Sequence, residues 1–171
     1  MNTSPDIFER CEKIKLIVSE MDGVVNKGLS GIGEMNVTLF KQYCLKDFEA
    51  INELKKTFIF AFVTADNSIN YYVARARNIP LFYNQKDKKQ PLVNLMQKYG
   101  VGPEEVLYIG TSFSDLENIK MIPFSMCPAD AITDVKLQSY FILDTPAGDG
   151  VICEVYALLK PEIVRRQTLT I

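Results

Sequence analysis

KIKLIVSEMDGVV, residues Lys13 to Val25, is the stretch on which the fold turns. Its apolar run (Ile14, Leu16, Ile17, Val18) stops at two carboxylates, Glu20 and Asp22, and Gly23 follows at once. A buried strand that delivers acidic side chains at its C-terminal end, then turns on a glycine, is how an open α/β sheet builds a polar site at its rim. Residues two apart on a strand point the same way, so strand geometry continued to Asp22 sets the two carboxylates side by side.

Outward from this stretch the chain alternates strand and helix. FIFAFVT (Phe58 to Thr64) is a second continuous apolar run, and VLYIG (Val106 to Gly110) another. Such runs mark strands buried on both faces, the habit of parallel sheets. Shorter strands are expected at Pro80–Tyr83, around PFSMCP and at YFIL. Helices are expected from Asp47, with that residue as N-cap, and after Asp66 or Asn67. Others are expected up to Gly100, after Ser112, from Asp130 to Lys136 and from Val151 to Leu159. Between the first strand and Asp47, three glycines (Gly28, Gly31, Gly33) punctuate strand-like segments and predict a β-hairpin over residues 26–44. Residues 1–12 read as a short helical or frayed lead-in, and residues 160–171 as a tail with no partner in the chain. The expectation is one domain, 1–171, with a doubly wound parallel sheet and right-handed crossovers.

Composition narrows the function. The 171 residues are 47% hydrophobic and 23% charged, with a net charge of −2. No basic footprint favours nucleic acid. No apolar stretch approaches the ~18 residues that span a bilayer. The N-terminus has no apolar signal segment, so a cytoplasmic protein is expected. There is no histidine, and the four cysteines form no CxxC pair, which leaves zinc and histidine acid–base chemistry without their usual residues. Chemistry must come from carboxylates, lysines and hydroxyls.

In a parallel sheet the strand C-termini share one edge, the ligand-binding edge of α/β folds. This chain brings there Glu20 and Asp22, Thr64, and the Thr111/Ser112/Asp115 cluster, with the Lys86-Asp87-Lys88 triplet opening a neighbouring element. Carboxylates, a hydroxyl and a lysine converging in this way suit a phosphate and a divalent cation.

These residues resemble the haloacid dehalogenase superfamily, and within it the small 3-deoxy-D-manno-octulosonate 8-phosphate phosphatases and their N-acylneuraminate 9-phosphate relatives. IVSEMDGVV stands where that family has DxDGV, FVTADNS for its TGRNS, QKDKK for its KDK, and YIGTSFSDLENI for its IGDDxND. FKQYCLKD matches FKxFxxxD at the end of the hairpin that replaces a cap domain, and GDGVICEVYALL matches the terminal GEGAxxEV helix. The resemblance implies phosphoryl transfer through an aspartyl phosphate at position 20, with Asp22 as acid–base. It further implies Thr64, Ala65 and Lys88 on the phosphate, and Mg²⁺ held by residues 20, 22 and 115 with the acidic pair at 111 and 112. It also implies a homotetramer in which hairpins cover neighbouring sites.

The departures fall on that chemistry. The nucleophile's position is Glu20, one methylene longer, and a misplacement of about 1 Å costs on the order of 100-fold in rate. Thr111 and Ser112 replace the two acidic ligands, and Asp66 reverses the charge of an arginine. The favoured reading is a retained scaffold with impaired or absent catalysis. For Glu20 itself two placements stay open: its carboxylate reaches the phosphoryl position and pairs with Lys88, or it points into solvent. Two other readings of the function stay open. One is an active Mg²⁺-dependent hydrolase of a sugar-acid phosphate such as 3-deoxy-D-manno-octulosonate 8-phosphate, with the ion on Glu20, Asp115 and water. The other is an oligomeric binding or regulatory subunit for a sugar-acid pathway enzyme, taking a sugar acid or sugar phosphate.

Overall fold

The structure, a computed structural model, describes residues 5–65, 68–83 and 88–169. The expected caps Asp66 and Asn67, with the Lys86 and Asp87 of the lysine triplet, lie outside them. Eight strands are present among the described residues: β1 (Leu16–Ser19), β2 (Asn26–Ile32), β3 (Thr38–Tyr43), β4 (Ile59–Thr64), β5 (Leu81–Tyr83), β6 (Val106–Ile109), β7 (Phe124–Cys127) and β8 (Phe141–Ile142). Six of them form a parallel sheet in the order β5-β4-β1-β6-β7-β8, and β2 and β3 form a separate antiparallel hairpin. Leu16 pairs with Ile59 on one side and Val106 on the other, which makes β1 the central strand.

The pleat explains the apolar runs. Ile17, Phe60, Phe62, Leu107 and Ile109 face one layer of the core. Leu16, Val18, Ala61, Val63, Val106 and Tyr108 face the other. With both faces covered, no strand position is left for a polar alternation. The first layer is closed by α1 (Pro5–Lys13), α2 (Leu45–Leu54), α3 (Ser68–Ala76) and α7 (Val151–Thr168), through residues such as Ile7, Phe48, Ile51, Ala74, Val155 and Leu159. The second is closed by α4 (Lys89–Tyr99), α5 (Leu116–Met121) and α6 (Thr133–Gln138), through Leu92, Leu95, Ile119 and Val135. Gly100, left-handed at φ 62°, ends α4 as the sequence predicts.

Three local expectations are corrected. Asp47 does not cap its own helix: α2 begins two residues earlier, at Leu45, with Cys44 as N-cap. Its fully buried carboxylate accepts instead from Ile152 N (2.8 Å) and Cys153 N (3.2 Å), the open first turn of α7. An acid in a first turn satisfies whichever unpaired N–H groups lie nearest, and here the packing of α2 on α7 presents those of the partner helix. The segment after Leu159 is no loose tail, because α7 runs through Pro161 to Thr168. Glu162 and Ile163 are buried there, Arg165 and Arg166 pair with Glu162, and Arg166 donates to Glu12 O and Ile14 O. These contacts dock the final turns against the α1–β1 junction and outweigh the one N–H that proline withholds. The sixth helix starts at Thr133 rather than Asp130, whose carboxylate accepts from Ala147 N.

Candidate functional site

The chain runs from β1 out to β5 on one side, then returns to β6 on the other, so the switch point lies at the C-terminal ends of β1 and β6. Glu20, Asp22, Thr64, Ala65, Thr111 and Ser112 all line an open pocket of about 360 Å³ at that edge. Lys88 and Asp115 lie beneath its floor, 4% and 0% exposed.

Strand geometry ends at Ser19, and the two acids part company. Glu20 turns inward and is 3% exposed. Its Oε1 accepts from the backbone of Met21 (2.7 Å) and Asp22 (3.3 Å), and its Oε2 accepts from Lys88 Nζ. The Thr64 hydroxyl bonds the same carboxylate. Asp22 faces the hairpin, where Lys41 Nζ reaches both of its oxygens at 3.0 and 2.8 Å. Asn26 Nδ2 donates to Oδ1 at 2.7 Å, and Asn70 Nδ2 to Oδ2 at 2.8 Å. The side-by-side carboxylates expected from strand periodicity are therefore replaced by two acids serving two separate lysines. Gly23, at φ 81°, permits the turn between them. A Cβ there would also sit 2.7 Å from Thr111 Oγ1.

Asp115 is the most heavily used acceptor. Its Oδ1 takes Lys88 Nζ and the Tyr108 hydroxyl, both at 2.7 Å. Its Oδ2 takes Thr111 N (2.9 Å), Ser112 N (3.0 Å) and Ser112 Oγ (3.2 Å). Thr111 Oγ1 donates to the Asp22 carbonyl at 3.3 Å. Asn118, fully buried, donates to the Lys88 carbonyl and anchors the lysine at the start of α4.

The electrostatics follow from burying three charges together. Burial, with Asp115 adding to it, pushes Glu20 up to about 7 against the pull of Lys88. Burial alone lowers the Lys88 ammonium, but Asp115 and then Glu20 more than offset it and hold it above the usual lysine value. Burial, followed by the same two carboxylates, drives the Tyr108 hydroxyl well above the phenolic range. A carboxyl raised in this way adds stability that is complete below its unfolded value near 4.5 and is lost as pH climbs through about 7. The urea midpoint of the protein should fall across that window, and Glu20→Gln should flatten the fall. Parallel profiles for the two proteins would show that Glu20 does not titrate there.

A divalent cation does not fit these residues as arranged. Every oxygen of Glu20, Asp22 and Asp115 already accepts at least one hydrogen bond, and the Lys88 ammonium lies between Glu20 and Asp115. Among the described residues no group of three or more acidic or cysteine side chains is placed to hold a metal ion. Magnesium demands near-octahedral oxygen ligands, which an ammonium in their midst excludes. Glu20 is likewise engaged on both oxygens, by Met21 N and Asp22 N on Oε1 and by Lys88 Nζ on Oε2.

Sequence reasoning missed Lys41, Asn26, Asn70, Tyr43 and Tyr108. Tyr43 donates to Asn70 Oδ1 at 2.6 Å and joins the Asp22 network. A signal for Lys41 and Tyr43 existed, since they stand two apart on β3 and share one face of the hairpin.

A sheet of this order, a hairpin in place of a cap, and acids, threonine and lysine at the switch point define a haloacid dehalogenase-like hydrolase. The chain belongs to that family, whose model matches residues 30–154, a span that begins downstream of Glu20 and Asp22. It is similar to the 3-deoxy-D-manno-octulosonate 8-phosphate phosphatase of Salmonella typhimurium, 25% identical over 159 residues that cover 91% of this chain and 84% of that protein. The crystal structure of the same phosphatase from Yersinia pestis superposes with a TM-score of 0.85 at 24% identity, over 92% of this chain and 86% of that one. The enzyme from Moraxella catarrhalis, crystallised with magnesium, phosphate and KDO, gives a TM-score of 0.85 at 23% identity, over 93% and 92% of the two chains. Among the described residues no helix is long and apolar enough to cross a membrane.

Proposed function

We propose that this chain is an octulosonate-phosphatase-type protein in which phosphoryl transfer has been lost. One observation carries the reading: the hydroxyls of Thr111 and Ser112 stand beside Asp115 at the positions where the resembled family has two acidic metal ligands. The longer Glu20, held by Lys88, agrees with it. Asp22, Thr64, Ala65, Lys88 and Asp115 are then the inherited frame of a phosphatase site, and Mg²⁺ is no resident cofactor. The protein works in the cytoplasm, alongside the phosphatases it resembles.

Phosphate release is the direct test, measured with Mg²⁺ on a panel of sugar-acid phosphates and an aryl phosphate. Wild-type turnover is expected at least about 100-fold below one per second, the low end of ordinary enzymes. The combined change Glu20→Asp, Thr111→Asp, Ser112→Asp is expected to raise it. Wild-type turnover near one per second would overturn the reading.

The hairpin favours an assembled state. Its polar members Lys41 and Tyr43 serve the site, while Leu29, Ile32, Met35, Val37, Leu39 and Phe40 are each more than half exposed. An apolar group of that extent on one element is the mark of an interface. A homotetramer that binds a sugar acid is the form we assign to it. Light scattering should report four copies, and Leu39→Glu with Phe40→Glu should yield one. A monomeric wild type would remove the assembly from the proposal.

A further inference from the structure

We infer that Glu20 is the built-in occupant of an oxyanion cradle, and that the pocket above it takes an unphosphorylated, polyhydroxylated ligand in place of a phosphate ester. This rests on the non-catalytic reading of the same site and deepens it: the ligand is held through its hydroxyl groups, and the anion cradle is closed to phosphate.

Two successive backbone N–H groups (Met21, Asp22), the Lys88 ammonium and the Thr64 hydroxyl all converge on one carboxylate. That is the donor set of an anion-binding nest reinforced by a charge. Its occupant is a side chain of the same protein. A tethered ligand competes at an effective concentration of roughly millimolar or more, and a free anion must displace it. Local charge acts in the same direction. Among the described residues, Glu20, Asp22 and Asp115 bring three carboxylates, while Lys41 and Lys88 bring two ammoniums. Above the Glu20 value of about 7, a phosphate dianion would enter a site whose described residues already carry surplus negative charge.

The space outside the cradle has a different character. The pocket of about 360 Å³ is bounded by Thr111, Ser112, Ser114 and Asp130, with Ala131, Ile132 and Ala147 along one wall. Ser112 and Ser114 share a hydrogen bond at 3.0 Å. Lys27, a cation on this rim, is paired with Asp149. Hydroxyl groups both donate and accept, so this lining matches hydroxyls on a ligand, and the volume falls in the range of small-molecule sites.

Isothermal titration at pH 8 tests the inference with three probes: inorganic phosphate, D-glucitol and D-glucitol 6-phosphate. Wild type should not saturate with phosphate at about 10 mM, whereas Glu20→Ala should bind it at least ~100-fold more tightly. Wild type should prefer glucitol to its 6-phosphate at least about tenfold, and Glu20→Ala should reverse that order. If Glu20→Ala does not fold, Glu20→Asp withdraws the carboxylate by one methylene and should give a smaller gain in the same direction. Equal phosphate affinity in wild type and variants, a wild-type preference for the ester, or no glucitol binding would each overturn the inference. Wild-type turnover would instead sink the non-catalytic reading, so the two failures are distinguishable.

Discussion

Lys88→Met is expected to destabilise the protein by about 3–5 kcal/mol, the usual consequence of removing one partner from a buried ion pair. The ammonium is the cation shared by Glu20 and Asp115, whose side chains are 4% and 0% exposed. Methionine keeps most of the stem and its packing, so the loss is electrostatic rather than a cavity. For a chain of this length such a change lowers the melting temperature by on the order of 10 °C. Because total stabilities run about 5–15 kcal/mol, the variant should remain folded at low temperature and be measurable by urea titration. A loss under about 1 kcal/mol would mean that the two carboxylates find other partners, and the triad would not be the structural centre of this edge.

Asp115→Asn is expected to cost a similar amount, about 3–5 kcal/mol, for a complementary reason. The carboxylate is surrounded only by donors: Lys88 and Tyr108 on one oxygen, Thr111 N, Ser112 N and Ser112 Oγ on the other. Either placement of an amide sets an NH₂ group against at least two of them, at unchanged volume. Combined with Lys88→Met, the loss should fall short of the sum by about 1–3 kcal/mol, since each change removes part of what the other has already broken. Simple additivity in a double-mutant cycle would show that the lysine and the aspartate are not coupled.

The fold was legible where burial leaves no choice. The runs at Leu16–Val18, Phe60–Val63 and Val106–Ile109 are continuous because both faces of the sheet are covered, and all three are strands. The hairpin was legible through its glycines. The strand ends named residues that the structure gathers around one pocket, and of the two placements open for Glu20 the structure has the pairing with Lys88. What failed to show was partnership across the chain. Asp47 has the spacing of a cap, but only the packing of α2 on α7 decides whose N–H groups it meets. Pro161 reads as a stop, and the buried Glu162 and Ile163 that carry the helix past it are polar and apolar residues of no local pattern. Lys41 looks like a solvated strand lysine until Asp22 is found beneath it.

The position of β1 bears on how the chain is made. It leaves the ribosome well before either neighbour, being hydrogen-bonded on one side to β4 and on the other to β6, which starts at Val106. At synthesis rates of roughly 5–20 residues per second, the middle of the sheet stays open on one flank for on the order of ten seconds. During that interval Leu16, Ile17 and Val18 present an unshielded hydrophobic edge to whatever is nearby. Nascent chains paused before Val106 should be the most dependent on chaperone capture.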